Sequence, residues 1–156
     1  MNNNQRKELA DVITSQTIEL FKVMFDADIE PYMNSNHNFN DDDLISKVTL
    51  SEEGFEIVLK FVFPRHLLVK LLNDMYGSVM ANHESAREDA ICEISNIVCG
   101  GLKKHLNEGG HSLEMSLPSI YCPYKTQDAS DKECLKIDFF LLGEAFSVDL
   151  KMDETP

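Results

Sequence analysis

Phe55-Glu56-Ile57-Val58-Leu59-Lys60-Phe61-Val62-Phe63-Pro64 is the stretch that decides the fold class. At a period of two residues, Phe55, Ile57, Leu59, Phe61 and Phe63 share one face, while Glu56 and Lys60 fall on the other. This is the pattern of a strand with one face against a core. Pro64 stops the strand and starts a helix over residues 65–76, where a missing N–H at the first turn is harmless. His66-Leu67-Leu68-Val69-Lys70-Leu71-Leu72 is apolar over most of its circumference, so that helix is buried on more than one side or faces a partner chain. Upstream, Glu52-Glu53-Gly54 turns the chain back into a short strand at residues 47–50.

Working outward, residues 6–26 carry Leu9, Val12, Ile13, Leu20, Phe21 and Met24 at helical spacing and predict an amphipathic helix. Asp26-Ala27-Asp28 ends it, Ile29-Glu30-Pro31-Tyr32 reads as extended chain, and the Asn- and Asp-rich residues 33–43 read as a loop. On the other side a long helix is predicted over residues 85–107, closed by Gly109-Gly110. Residues 111–117 alternate, with Leu113, Met115 and Leu117 on one side, and predict a strand. A polar loop at 124–132 leads to strands at 135–142 and 145–152, joined through Gly143-Glu144 as a hairpin. Strands grouped around helices in this order predict an α+β fold with a mostly antiparallel sheet, in one domain spanning residues 1–156.

Composition narrows the function. The 156 residues carry a formal net charge of −13, with 43% hydrophobic and 26% charged residues. That charge excludes a partner recognised through a phosphate backbone, which needs clustered Lys and Arg, and disfavours an anionic membrane surface. No apolar run is long enough to span a bilayer, and the N-terminus lacks the basic-then-apolar pattern of a secretory signal, so a cytoplasmic location is predicted. Cys92, Cys99, Cys122 and Cys134 include no C-x-x-C pair, and the five histidines form no H-E-x-x-H arrangement; no metal site is predicted. Buried free thiols are the plain reading of the cysteines.

On a wheel at about 100° per residue, the long helix separates into two faces. Ala90, Ile91, Ile94, Ile97, Val98, Gly101 and Leu102 gather toward a core. Asp89, Glu93, Asn96 and Gly100 gather opposite, within an arc of roughly 60°. Gly100 carries information because an interior helical glycine costs roughly 0.5–1 kcal/mol against alanine; the compensation would be room for another group to come close. Alone the pattern is weak, since exposed helix faces are polar and Glu-x-x-Asn arises by chance at on the order of one position in several hundred.

Set in its surroundings, Asp89-x-x-x-Glu93-x-x-Asn96 followed by Pro118 closely resembles the signature of the CheC/CheX/FliY family of chemotaxis phosphatases. That signature is an acidic residue, three residues, Glu, two residues, Asn, about 22 residues, then Pro. Here 21 residues separate Asn96 from Pro118, a slip that the Gly109-Gly110 turn can absorb. The similarity runs over nearly the whole chain. It takes in the opening helix into Val23-Met24-Phe25-Asp26-Ala27-Asp28-Ile29-Glu30-Pro31, the strand reaching Phe63-Pro64 ahead of a short apolar helix, and the closing hairpin. A single Glu-x-x-Asn site makes the chain most like CheX, in contrast to two-site CheC.

The resemblance implies a CheC-like fold with a long central helix and two further helices. It also implies a homodimer and hydrolysis of the aspartyl phosphate on a CheY-type response regulator. In that scheme Asn96 orients the attacking water, Glu93 pairs with the regulator's active-site lysine, and Asp89 and Gly100 contact the partner. Mg2+ would be held by the regulator's own acidic cluster, so this chain would bind no cofactor. Two other readings compete. A binding module on the same fold would dock on a regulator, motor or array protein without turnover, but would have no need of the Asn96 carboxamide. A thiol enzyme using Cys92 or Cys99 beside His105 would need a base within reach of the sulfur, and the wheel offers none.

Overall fold

The computed structural model describes residues 2–32, 40–121 and 134–154. In chain order these form helix α1 (Asn3–Phe25), strands β1 (Glu30–Tyr32), β2 (Asp43–Glu52) and β3 (Phe55–Pro64), then helices α2 (Arg65–Tyr76), α3 (Ser78–Ala81) and α4 (Glu84–Glu108). Short strands β4 (Glu114–Met115) and β5 (Ser119–Ile120) follow, then β6 (Leu135–Leu141) and β7 (Glu144–Glu154). The sheet order is β1-β6-β7-β3-β2-β4, with β5 also on β2, and every pairing is antiparallel. The fold is thus α+β with an antiparallel sheet, as predicted.

The period-two face of β3 builds the core. Ile57, Leu59, Phe61 and Phe63 are buried and oppose Leu50, Val48, Ser46 and Leu44 of β2. Phe146 of β7 lies at the centre of an aromatic cluster, with ring centroids 4.4 Å from Phe63, 4.9 Å from Phe21 and 5.2 Å from Phe139. Phe21 comes from α1, so this cluster docks the first helix on the sheet. Burial of such rings dominates core energetics, at about 1.5–3 kcal/mol each.

α1 begins one turn earlier than its apolar periodicity indicates. Asn2 caps it: its Oδ1 accepts from the Gln5 N–H at 2.9 Å, and the Gln5 Oε1 accepts from the Asn2 N–H at 3.0 Å. It ends at Asp26, in the left-handed region with φ 49°, where Lys22 pairs with Asp26 and Asp28.

Several predicted boundaries shift for identifiable reasons. β2 reaches back to Asp43, into the predicted loop, because it pairs with β3 along its whole length. Extended Glu30–Tyr32 becomes a strand by pairing with β6. The single strand predicted over 111–117 is instead two two-residue strands, since the chain bulges away from β2 at Leu117-Pro118, and proline has no N–H to offer a ladder. Leu113 is buried, but Leu117 is 87% exposed. The hairpin turns at Leu142-Gly143, with φ of 53° and 77°, one residue before the predicted pair. Two positive φ values are what a two-residue type I′ turn needs. α3 is additional to the three helices foreseen. The polar loop at 124–132 and Cys122 lie outside the described residues.

Candidate functional site

α4 positions the candidate site, and buried contacts fix its roll. Ile91, Ile94, Ser95, Val98, Cys99 and Leu102 face the core. Ser95 is the polar member of that face. Its hydroxyl donates to the Ile91 carbonyl at 2.7 Å, so the Ser46 hydroxyl of β2 donates to the Ser95 oxygen. Both serines are fully buried, and this side-chain link ties the middle of α4 to β2. At the C-terminal end His105 pairs with Glu8 of α1 at 3.0 Å, and Asn107 exchanges hydrogen bonds with the Leu113 backbone. At the N-terminal end Glu84 pairs with Arg65 and Arg87, and these guanidinium groups hold its carboxyl below the usual range.

With the roll fixed this way, Asp89, Glu93 and Asn96 point to solvent and Gly100 is partly exposed on the same ridge. Neither Glu93 nor Asn96 has a hydrogen-bond or ion-pair partner among the described residues. The ridge is therefore brought together as the wheel predicts, with a carboxylate and a carboxamide one turn apart and available to a second molecule. The two glycines that follow behave differently. A Cβ on Gly101 would meet the end of the Gln16 side chain of α1, which lies against the helix there. A Cβ on Gly100 would meet nothing within 4 Å, so no packing among the described residues accounts for that glycine. Pro118 stands in the bulge between β4 and β5, two strands that both border β2 beneath α4.

One predicted position is corrected. Ile97 was placed on the core face, but it is 38% exposed. The buried arc centres on Ile91, Ser95, Val98 and Leu102, and Ile97 lies roughly 120° from that centre, beside the ridge. Sequence reasoning also passed over Ser95, whose signal was a polar residue within an otherwise apolar arc.

The two cysteines of α4 are poorly placed to act as nucleophiles. Cys99 is fully buried, and burial drives its thiol far above the ordinary range. Cys92 is half-buried; burial first, then Asp89 and Glu88, push its thiol upward. A thiol held protonated is a poor nucleophile. His105 is engaged with Glu8 on the far end of the helix. Cys134 is half-buried, with its thiol directed at the Leu135 carbonyl at 3.8 Å. Among the described residues, no group of three or more His, Cys, Asp or Glu side chains could hold a metal ion, and no helix is long and apolar enough to cross a membrane.

Comparison with known proteins gives this arrangement a family. No curated protein matches the chain. Among solved structures, CheX from Vibrio vulnificus superposes with a TM-score of 0.74 at 16% identity, covering 94% of this chain and 99% of that one. A CheC-like superfamily protein from Shewanella sp. PV-4 gives 0.72 at 19% identity, covering 98% and 99%. A CheX–CheY–BeF3–Mg2+ complex from Borrelia burgdorferi gives 0.70 at 14%, covering 92% and 97%. At these identities the structures speak for the fold. The model of the chemotaxis phosphatase CheX family matches residues 45–140, more than half of the chain and the whole of the Glu93/Asn96 helix. The chain belongs to the chemotaxis phosphatase CheX family.

Proposed function

We propose that this protein hydrolyses the aspartyl phosphate of a CheY-type response regulator, with Asn96 and Glu93 as the residues that enter the regulator's site. The observation that carries the reading is the pair itself. Both side chains are exposed and have no partner among the described residues, and they stand one turn apart on a 25-residue helix whose roll is set by the buried Ser46–Ser95 link. The structure of a CheX–CheY complex in a protein of the same fold supports the choice of partner.

An acyl phosphate is already activated, so its hydrolysis needs positioning and charge stabilisation more than covalent help. Asn96 suits the first need. Its Oδ1 accepts a hydrogen bond from the attacking water and its Nδ2 donates to a phosphoryl oxygen, with no negative charge to repel the phosphoryl group. The water oxygen forms the new bond to phosphorus and the bond to the aspartyl oxygen breaks. Inorganic phosphate leaves, the aspartate is restored, and the water's proton passes to phosphate or solvent. Glu93 pairs with the lysine beside the phosphorylated aspartate, which fixes the register of α4 on the partner. Asp89 adds charge at the rim, and Gly100 lets the partner surface approach the helix backbone. Mg2+ bound by the regulator's own carboxylates supplies charge neutralisation at the phosphoryl oxygens. The protein acts as a homodimer of one CheX-like domain per chain, in the cytoplasm.

The test is release of phosphate from a phosphorylated regulator with Mg2+, with and without this protein and its Asn96→Ala variant. Acceleration that Asn96→Ala abolishes while binding persists is the expected result. No acceleration with any regulator of the same organism would overturn the phosphatase reading and favour a non-catalytic docking module.

A further inference from the structure

One turn of α4 is pinned to the sheet by a directional contact, and it is the turn that carries Asn96. Ser95, which immediately precedes Asn96, is the one buried polar side chain of α4 among the described residues. Its oxygen accepts from the Ser46 hydroxyl, while its own proton goes to the Ile91 carbonyl at 2.7 Å. Ser46 is itself fixed in the sheet, opposite Phe61 of β3 on one side and Ile120 of β5 on the other. The neighbouring Ile45 carbonyl accepts from the Tyr121 N–H at 2.8 Å. Among the described residues, the other polar side-chain ties of α4 lie toward its ends, at Glu84, Arg87, His105 and Asn107, about 13 Å or more from Asn96 along the axis. Around Ser95 the rest of the buried face is Ile91, Ile94, Val98, Cys99 and Leu102. Apolar burial is non-directional, whereas a hydrogen bond weakens steeply once its angle departs from linearity.

We infer that Ser46 and Ser95 are positioning residues for Asn96, holding the roll of α4 at the value that aims its carboxamide at the attacking water. The inference rests on the reading of Asn96 given above and deepens it. With its side chains an α-helix is about 10–12 Å across, so a roll of about 10° carries a side-chain tip through roughly 1 Å. A misplacement of about 1 Å is enough to cost about 100-fold in rate. Asn96 has a short side chain and little reach with which to recover the lost geometry. Glu93 differs, because it pairs with a lysine whose flexible four-carbon stem follows a small displacement. Loosening the link should therefore act on turnover and leave binding nearly intact. The two serines are not equivalent. Ser95→Ala strands the Ser46 hydroxyl, but Ser46→Ala strands nothing, since the Ser95 hydroxyl keeps the Ile91 carbonyl. Ser46→Ala thus breaks the tie at small cost to stability.

The experiment compares wild type, Ser46→Ala, Ser95→Ala, the double variant and Thr17→Ala, at a temperature well below every melting transition. Thr17 is the control. It is fully buried in α1, and its hydroxyl donates to the Ile13 carbonyl at 2.6 Å, the same bond that Ser95 makes to Ile91. Two quantities are read: Kd for a regulator treated with beryllofluoride and Mg2+, and phosphate release at saturating phosphorylated regulator. The three serine variants are expected to lose turnover by about tenfold to 100-fold, with Kd within about twofold of wild type. The double variant should regain melting temperature over Ser95→Ala without regaining turnover, and Thr17→Ala should keep full turnover. Full turnover in Ser46→Ala and the double variant overturns the inference, as does a loss that follows melting temperature through all four variants. Wild type without turnover on any regulator would sink the phosphatase reading, and the inference with it. Active wild type with equally active serine variants would sink the inference alone.

Discussion

Gly100→Ala separates the needs of the fold from those of the partner. Gly100 lies well inside α4, has ordinary helical backbone geometry, and would carry a Cβ into open space. Alanine there removes the propensity and unfolded-state entropy penalties of glycine and adds no clash. The substitution should therefore stabilise the protein by about 0.5–1 kcal/mol, which for a chain of this size is a rise of about 1–4 °C in Tm. If the same space admits the regulator's surface, the added methyl should raise the Kd for the beryllofluoride-treated regulator by about tenfold. Urea unfolding measures the first effect and a binding titration the second, on the same preparation. A variant that gains stability and keeps full affinity would refute the argument that Gly100 serves the partner. A variant that loses stability would refute the reading of open space at that position. Gly101→Ala is the contrast, because its Cβ must first displace the end of the Gln16 side chain, so it should gain less stability than Gly100→Ala.

Four other outcomes follow from the same structure. Asn96→Ala should cut the added phosphatase rate by about 100-fold, as loss of one positioned hydrogen-bonding group does, with Kd little changed; full activity would remove the water-positioning role. Glu93→Gln should weaken regulator binding by about tenfold or more and flatten its salt dependence, and unchanged affinity in a salt series would place Glu93 outside the interface. Ser95→Ala strands the buried Ser46 hydroxyl and should cost about 1–3 kcal/mol, with Ser46→Ala/Ser95→Ala recovering part of that in urea unfolding; an unaffected single variant would deny the link its role. Asp149, 8% exposed in β7, has its carboxyl pushed up to about 6, by burial first and by Asp138 against the opposing pull of Lys136 and Lys60. A carboxyl raised on folding binds its proton more readily in the native state, so its ionisation costs stability above pH 6 and that cost vanishes below the unfolded value near 4. Asp149→Asn should thus be stabilising by about 1–3 kcal/mol at pH 7, the gap closing between pH 6 and 4; a pH-independent difference would reject the assignment.

Much of this architecture was legible in local pattern. The alternation of residues 55–63 specifies a half-buried strand, because a period of two puts every second side chain on the core face. The 3.6-residue period of α4 likewise placed Asp89, Glu93, Asn96 and Gly100 on one ridge before any packing was known. Turn and cap chemistry located the hairpin to within a residue, while the N-terminal start of α1 depended on a reciprocal cap that apolar periodicity does not register.

What the pattern could not decide are quantities set by neighbours distant in sequence. The wheel gives the spacing of side chains on α4 but not its roll, and the roll is fixed by Ser46, 49 residues upstream of Ser95 on a different element, and by Gln16 and Glu8 on α1. That is why Ile97 was assigned to the core and stands in solvent. The same cause separates Gly100 from Gly101: adjacent in sequence and identical in chemistry, they differ because α1 packs against Gly101 and none of the described residues packs against Gly100. Strand lengths changed for the same reason, since β2 extends as far as β3 offers hydrogen-bond partners and the chain beyond Met115 leaves the ladder where Pro118 has none to give. Periodicity is a property of one segment, whereas exposure is a property of what lies against it.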